Sequence, residues 1–270
     1  MLLLQFVNLG QIKMFSASTN TPSQVSDNHL IVCKELSQGK LLELQYAKQP
    51  SKDFCTFVES TPEPEIVAFF RGIVIEVEET REIRDFHMKI VDEEDKFRVK
   101  IFYGAEKSGP VMLPLEDCIS CYPNALLFAS EGCSLKAQDC ILEEYCDQPN
   151  AVCRLDAKGR SGFVITPVRH VERMSDLNDK ELFDLWSLSV RALRNAKLPF
   201  TSMILNHGTY RNHEHLHLKV WVDEVMYEEY CKKWSRSRQE LWKQLQQLSI
   251  QRKELKKKQK LKQKKFSSGD

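Results

Sequence analysis

His213-Glu-His215-Leu-His217-Leu218 places three imidazoles at every second position, with Leu216 and Leu218 on the alternate positions. In an extended strand the side chains alternate between the two faces, so a period of two puts all three rings on one face and the leucines on the other. That pattern fits neither a helix nor a loop, and it predicts a half-buried strand. Rings that titrate near neutral pH are costly to crowd together without a purpose. Two chemistries fit them. Neutral imidazoles can hold a zinc ion with a coordination position left for water. Alternatively, one imidazole can attack phosphorus while its neighbours stabilise the charge that develops on the phosphate.

The residues upstream read as the rest of an α+β unit. Cys140–Tyr145 and Ala151–Leu155 read as two strands and Gly162–Pro167 as a third, apolar one. Asn178 followed by Glu181 has the spacing of a capping box. Leu182, Leu185, Trp186, Ser189, Ala192 and Leu193 then recur at helical intervals up to the block at Pro199. Met203-Ile-Leu leads through Asn206-His-Gly208 to the histidines, and the chain is helical from Glu224 onward.

Over roughly residues 138–234 this order resembles the histidine triad superfamily of nucleotide hydrolases and transferases, whose signature is His-φ-His-φ-His-φ-φ on the last strand of a small α+β fold. Gly162-Phe-Val-Ile-Thr-Pro-Val-Arg-His170, Ser175-Asp-Leu-Asn-Asp-Lys-Glu-Leu and Asn206-His-Gly208 are similar to its other segments. The resemblance implies an antiparallel sheet with helices and a nucleotidyl-histidine intermediate on His215, with His213 and His217 lining the α-phosphate pocket. It further implies Asn206, Gly208, Tyr210, Asp156 and His170 as substrate-binding residues, no cofactor and no metal, and pairing of two such domains into a homodimer as an option. Four positions depart from the pattern: Gly162 stands where the superfamily has a fourth histidine, Tyr210 where it has Ser or Thr, and Glu214 and Lys219 where it has apolar residues. These departures keep open a non-catalytic nucleic-acid- or protein-binding module on the same scaffold.

Charge is distributed unevenly. The segment Lys232–Lys265 carries a net +12, so the rest of this chain, near neutral in total, carries −11. Such a basic end suits a polyanion, and Arg252, Lys253, Lys256, Lys257, Lys258 and Lys260 are the candidate contacts to RNA or DNA, or to a nucleic-acid-linked substrate. Leu241, Leu245, Leu248 and Leu255 allow a short coiled-coil seam. Nine cysteines, odd in number and irregularly spaced, read as reduced thiols, and no apolar run reaches the about 20 residues of a membrane span, so the expected setting is cytoplasm or nucleus. Cys118-x-x-Cys121 lacks a second pair at metal-site spacing.

Residues 1–29, polar and aperiodic, are expected to be a disordered lead-in. Residues 30–136 are expected to be a β-rich, OB-like domain, with 66–77 as a strand and Arg71, Lys89, Arg98 and Lys100 available to single-stranded nucleic acid. Residues 137–234 form the histidine-bearing domain and 235–270 a basic helical tail.

Overall fold

The computed structural model describes residues 30–36, 40–48, 52–94, 96–110, 115–127 and 133–267, so the expected lead-in lies outside the described residues. Eight strands form one antiparallel sheet: β1 (Ile31–Leu36), β2 (Leu41–Tyr46), β3 (Phe86–Glu93), β4 (Lys96–Tyr103), β5 (Ala151–Leu155), β6 (Gly162–Pro167), β7 (Phe200–His207) and β8 (Leu218–Val222). Their order is β1-β2-β4-β3-β7-β8-β6-β5. The fold is therefore α+β with helices in the C-terminal half.

Two expectations for the N-terminal half are corrected. No OB-like barrel closes among the described residues: the free edge of β3 pairs with β7, in register Phe86↔His207 through Ile90↔Met203, and the sheet continues into the C-terminal half. The division expected at residue 136 thus separates strands that lie in one sheet. Residues 66–77 are also not a strand but helix α2 (Glu63–Val74) running into a π-helical turn at Ile75–Thr80. Ile66, Phe69, Phe70, Ile73 and Val77 are all buried at three- and four-residue intervals, which a helix satisfies and a two-residue period does not. Pro62 at the cap and Pro64 in the first turn start it where proline is tolerated.

One face of the sheet is the core. Phe86, Met88 and Ile90 of β3 and Phe97, Val99 and Ile101 of β4 point into it, as their alternation predicts. Helices α1 (Phe54–Ser60), α2 and α3 (Asp179–Ala196) cover that face, and Phe70 stacks on Trp186 at 4.2 Å with an interplanar angle of 6°. The α3 cap is the expected one, Asn178 accepting from the Glu181 amide and Glu181 accepting from Asn178. Arg71 is tied to Asp179 and the Leu177 carbonyl, Arg98 to Glu43 and Glu93, and Lys100 to Glu93. Phe86 and Phe97 lie in the core.

After β8, helix α4 (Glu224–Cys231) buries Tyr227, whose hydroxyl donates to the Gly162 carbonyl at 3.1 Å. Helix α5 (Arg236–Ser267) is anchored by buried Trp242 and Leu245, with Leu241 and Leu248 packed beside them. Ile250 and Leu255 are exposed, so the leucine series packs against the body only as far as Leu248. No helix among the described residues is long and apolar enough to cross a membrane.

Candidate active site

The face of the sheet opposite the helices carries the chemistry. His87 and Asn206 are partners across β3 and β7, and the His87 Nδ1 lies 2.8 Å from the Asn206 Oδ1. In the next row Lys89 stands opposite Ile204, and Ile204 opposite Lys219 of β8. The histidines precede the strand. β8 begins at Leu218, and residues 213–217 approach it through bends at Glu214 and His215, stitched by the Leu216 amide to the Val171 carbonyl at 2.7 Å. The Arg211 guanidinium braces this approach by donating to the Glu172 carboxylate and to the Glu214 carbonyl.

The three imidazoles divide into two settings. His213 and His217 share one, with ring centroids 5.7 Å apart. His215 turns toward His170, with centroids 4.9 Å apart, and toward the cysteine pair. His217 Nδ1 lies 3.0 Å from the His215 carbonyl. A carbonyl only accepts, so Nδ1 carries the hydrogen and the Nε2 lone pair is left open, with no hydrogen-bond partner among the described residues. Burial, then the charge of Lys219, holds His217 well below the ordinary histidine value and keeps the ring neutral.

His215 is engaged at both nitrogens. Nε2 donates to the Pro167 carbonyl at 3.0 Å, which leaves Nδ1 as a lone pair directed at Cys121 Sγ (3.2 Å) and Cys118 Sγ (3.6 Å). His170 Nδ1 lies 3.2 Å from Cys121 Sγ, and the four ligand atoms all fall within 4.8 Å of one another. A tetrahedral zinc with ordinary Zn–S and Zn–N lengths has a sulfur-to-nitrogen edge of about 3.6 Å, so these residues fit the ion. The Cys118–Cys121 turn closes on itself through Cys121 and Tyr122 amides donating to the Cys118 carbonyl. Buried Arg154 holds it from beneath by donating to the Ser120 and Ala137 carbonyls. Burial, and next the neighbouring Cys118, push the Cys121 thiol up to about 12. A bound cation would reverse that by favouring the thiolates.

The remaining expected residues are placed as follows. Asn206 faces the site from the end of β7, where it is strand and not loop. Gly208 is in a turn with φ 55°, where the following Thr209 amide donates to Asp85 and the Gly208 carbonyl accepts from Arg211. The Tyr210 hydroxyl accepts from the Ala105 amide. Asp156 is buried, one carboxylate oxygen accepting from the Lys158 amide (2.6 Å) and the other from Arg160. His170 belongs to the cysteine cluster. Arg252 of α5 lies close enough to act on His213, and Lys253, Lys257 and Lys258 are exposed on the same helix. Lys256 and Lys260 fall within α5, and their side chains lie outside the described residues.

His87 and the four-residue cluster were not singled out from sequence. The cluster's only local signal is the Cys-x-x-Cys, since His170 and His215 follow Cys121 by 49 and 94 residues.

No family model matches the chain, and no curated protein does. Among solved structures it is similar to a uridylyltransferase at 16% identity over 71% of this chain and 67% of that one, with a TM-score of 0.43. It is also similar to a uridylyltransferase mutant at 14% identity, over 77% and 78% of the two chains, with a TM-score of 0.41. A third likeness is to the C. elegans NitFhit protein, at 16% identity over 52% and 40%, with a TM-score of 0.28.

Proposed function

We propose that this chain transfers or hydrolyses a nucleotidyl group through a covalent bond between phosphorus and Nε2 of His217. The observation that carries the reading is the His217 Nδ1 to His215 carbonyl hydrogen bond, which leaves a neutral ring with its lone pair on Nε2. That lone pair forms the P–N bond as the bond from phosphorus to the leaving group breaks, and the leaving group departs with the electron pair. Water, or an acceptor hydroxyl, then forms a P–O bond and loses its proton, and the P–N electrons return to Nε2. The Asn206 Oδ1 accepts from His87 Nδ1 across the sheet, which orients the Asn206 amide NH2 to donate to a phosphate oxygen beside His217.

In this reading the nucleophile is His217 and not His215, because neither His215 nitrogen is open. Cys118, Cys121, His170 and His215 would hold a zinc ion, which when bound keeps the thiols ionised and fixes the backbone at residue 215. The His215 carbonyl so positioned selects the His217 tautomer, an outer-shell arrangement in which the metal site sets the geometry of the reacting ring. The basic face of α5, reaching the site at Arg252, suits a nucleotidyl group joined to a nucleic acid.

The test is turnover and label transfer from α-phosphate-labelled substrates: nucleoside phosphoramidates, dinucleoside polyphosphates, a cap dinucleotide and a 5′-adenylated oligonucleotide. Acid-labile label on the wild-type protein, absent from His217→Ala, is the expected result. No label and no turnover on any member of the panel, with salt-sensitive oligonucleotide binding retained, would replace the enzyme with a binding module.

A further inference from the structure

Lys219 is 9% exposed, and its ammonium makes no hydrogen bond or ion pair among the described residues. It follows His217 by two residues on the same strand path, and Lys89 faces it across Ile204 in the neighbouring row of the sheet. Arg160 stacks on the Trp221 ring at 4.3 Å, two residues further along β8. The one carboxylate near this group, Asp156, is already occupied by Arg160 and by the amide of its own turn. Burial, with Arg160 and Lys158 adding to it, brings the lysine down to about 8. A buried cation without a counterion is unfavourable unless something anionic joins it. A folded chain that keeps one beside an open nucleophile is arranged for an anionic ligand.

We infer that Lys219 seats the phosphate of the leaving group, one row along the sheet from the reacting phosphorus, and so selects nucleotidyl phosphoanhydrides over phosphoramidates. This assignment rests on His217 as the nucleophile. The two substrate classes differ in what departs. When the P–O bond of an anhydride breaks, the electron pair stays on the bridging oxygen and the leaving phosphate gains a negative charge, which a fixed cation stabilises directly. When the P–N bond of a phosphoramidate breaks, the amine takes up a proton and departs without a phosphate, so a fixed cation at the leaving-group position has no developing negative charge to neutralise. The Lys219, Lys89 and Arg160 grouping is matched to the first case. A strand rise of about 3.3 Å per residue puts the Lys219 and His217 backbones roughly 7 Å apart, an offset that the long lysine side chain spans.

The experiment compares wild type, Lys219→Met, Lys219→Arg and His217→Ala on a dinucleoside polyphosphate and on a nucleoside phosphoramidate with the same base, and measures inorganic pyrophosphate binding to each by calorimetry. Lys219→Met should lose at least about 100-fold in kcat/KM on the anhydride and less than about 5-fold on the phosphoramidate, while melting at or above the wild-type temperature. Lys219→Arg, which keeps the charge but holds its proton, should recover most of the anhydride activity. Pyrophosphate should bind wild type and His217→Ala, and bind Lys219→Met at least about 10-fold more weakly. Equal loss on both substrates, an arginine variant as poor as the methionine one, or undiminished pyrophosphate binding by Lys219→Met would overturn the assignment. If wild type turned over neither substrate, the His217 reading would fall and the pyrophosphate arm would still decide whether Lys219 is an anion seat.

Discussion

A histidine placed at Gly162, where the superfamily that the sequence resembles has its fourth, should unfold the protein instead of activating it. Gly162 begins β6 at φ 155°, in register with Trp221 of β8. A Cβ built there overlaps the Val220 carbonyl oxygen and sits 3.0 Å from the Trp221 ring and 3.1 Å from the Val220 carbonyl carbon. Both obstacles are a hydrogen-bonded backbone and a packed indole, so the relief is to part β6 from β8. The strained backbone costs about 1–3 kcal/mol. Losing the first ladder contact and the Tyr227 hydroxyl bond to the Gly162 carbonyl adds about 1 kcal/mol each. Gly162→Ala should therefore cost about 3–5 kcal/mol, a large part of the ~5–15 kcal/mol of a typical domain, and Gly162→His at least as much. Urea unfolding followed by tryptophan fluorescence, with zinc held constant, reads both. An alanine variant within 1 kcal/mol of wild type, or a histidine variant with higher turnover, would refute the reasoning. The glycine at 162 is then set by strand packing.

Three further outcomes follow from described contacts. Elemental analysis should find about one equivalent of zinc in wild type and none in Cys121→Ser, and chelation should lower wild-type stability by ~4 kcal/mol relative to free zinc at a thousandfold over its dissociation constant, with no effect on the variant. Lys219 falls from 10.5 to about 8 on folding, so between those values the unfolded chain holds a proton the folded chain has lost. Wild-type stability should therefore rise by about 3 kcal/mol relative to Lys219→Met as pH increases from 8 to 10.5, and a difference between the two proteins that does not change with pH would refute the burial argument. Replacing exposed Lys253, Lys257 and Lys258 with alanine should flatten the plot of log affinity against log salt for single-stranded oligonucleotide by about 2, whereas an unchanged slope removes these residues from the nucleic-acid contact.

The elements that sequence made legible are those with local signals. The Asn178–Glu181 box set the start of α3, and the Phe86 and Phe97 alternations set β3 and β4. The histidine period drew attention to residues 213–217, whose rings divide between two settings in the structure. Leu216 and Leu218 are indeed fully buried, while Glu214 is not. Residues 66–77 were ambiguous because a run this apolar satisfies both periods until its neighbours decide. The Cys118, Cys121, His170 and His215 cluster and the β3–β7 pairing rest on contacts between distant segments, which no window of sequence holds.

The β3–β7 seam also sets the order in which the molecule can be made. His87 meets Asn206 across 119 residues, and β7 is itself joined to β8 only after the histidine approach has been synthesised. During translation the first four strands emerge with β3 as a bare edge, the kind of surface on which unfinished chains stick to one another. Topology of this long range is slow to close, because the loop entropy is spent before the contacts return it. The histidine face therefore comes into existence last, and a nascent chain on the ribosome holds only the His87 side of it until its C-terminal strands arrive.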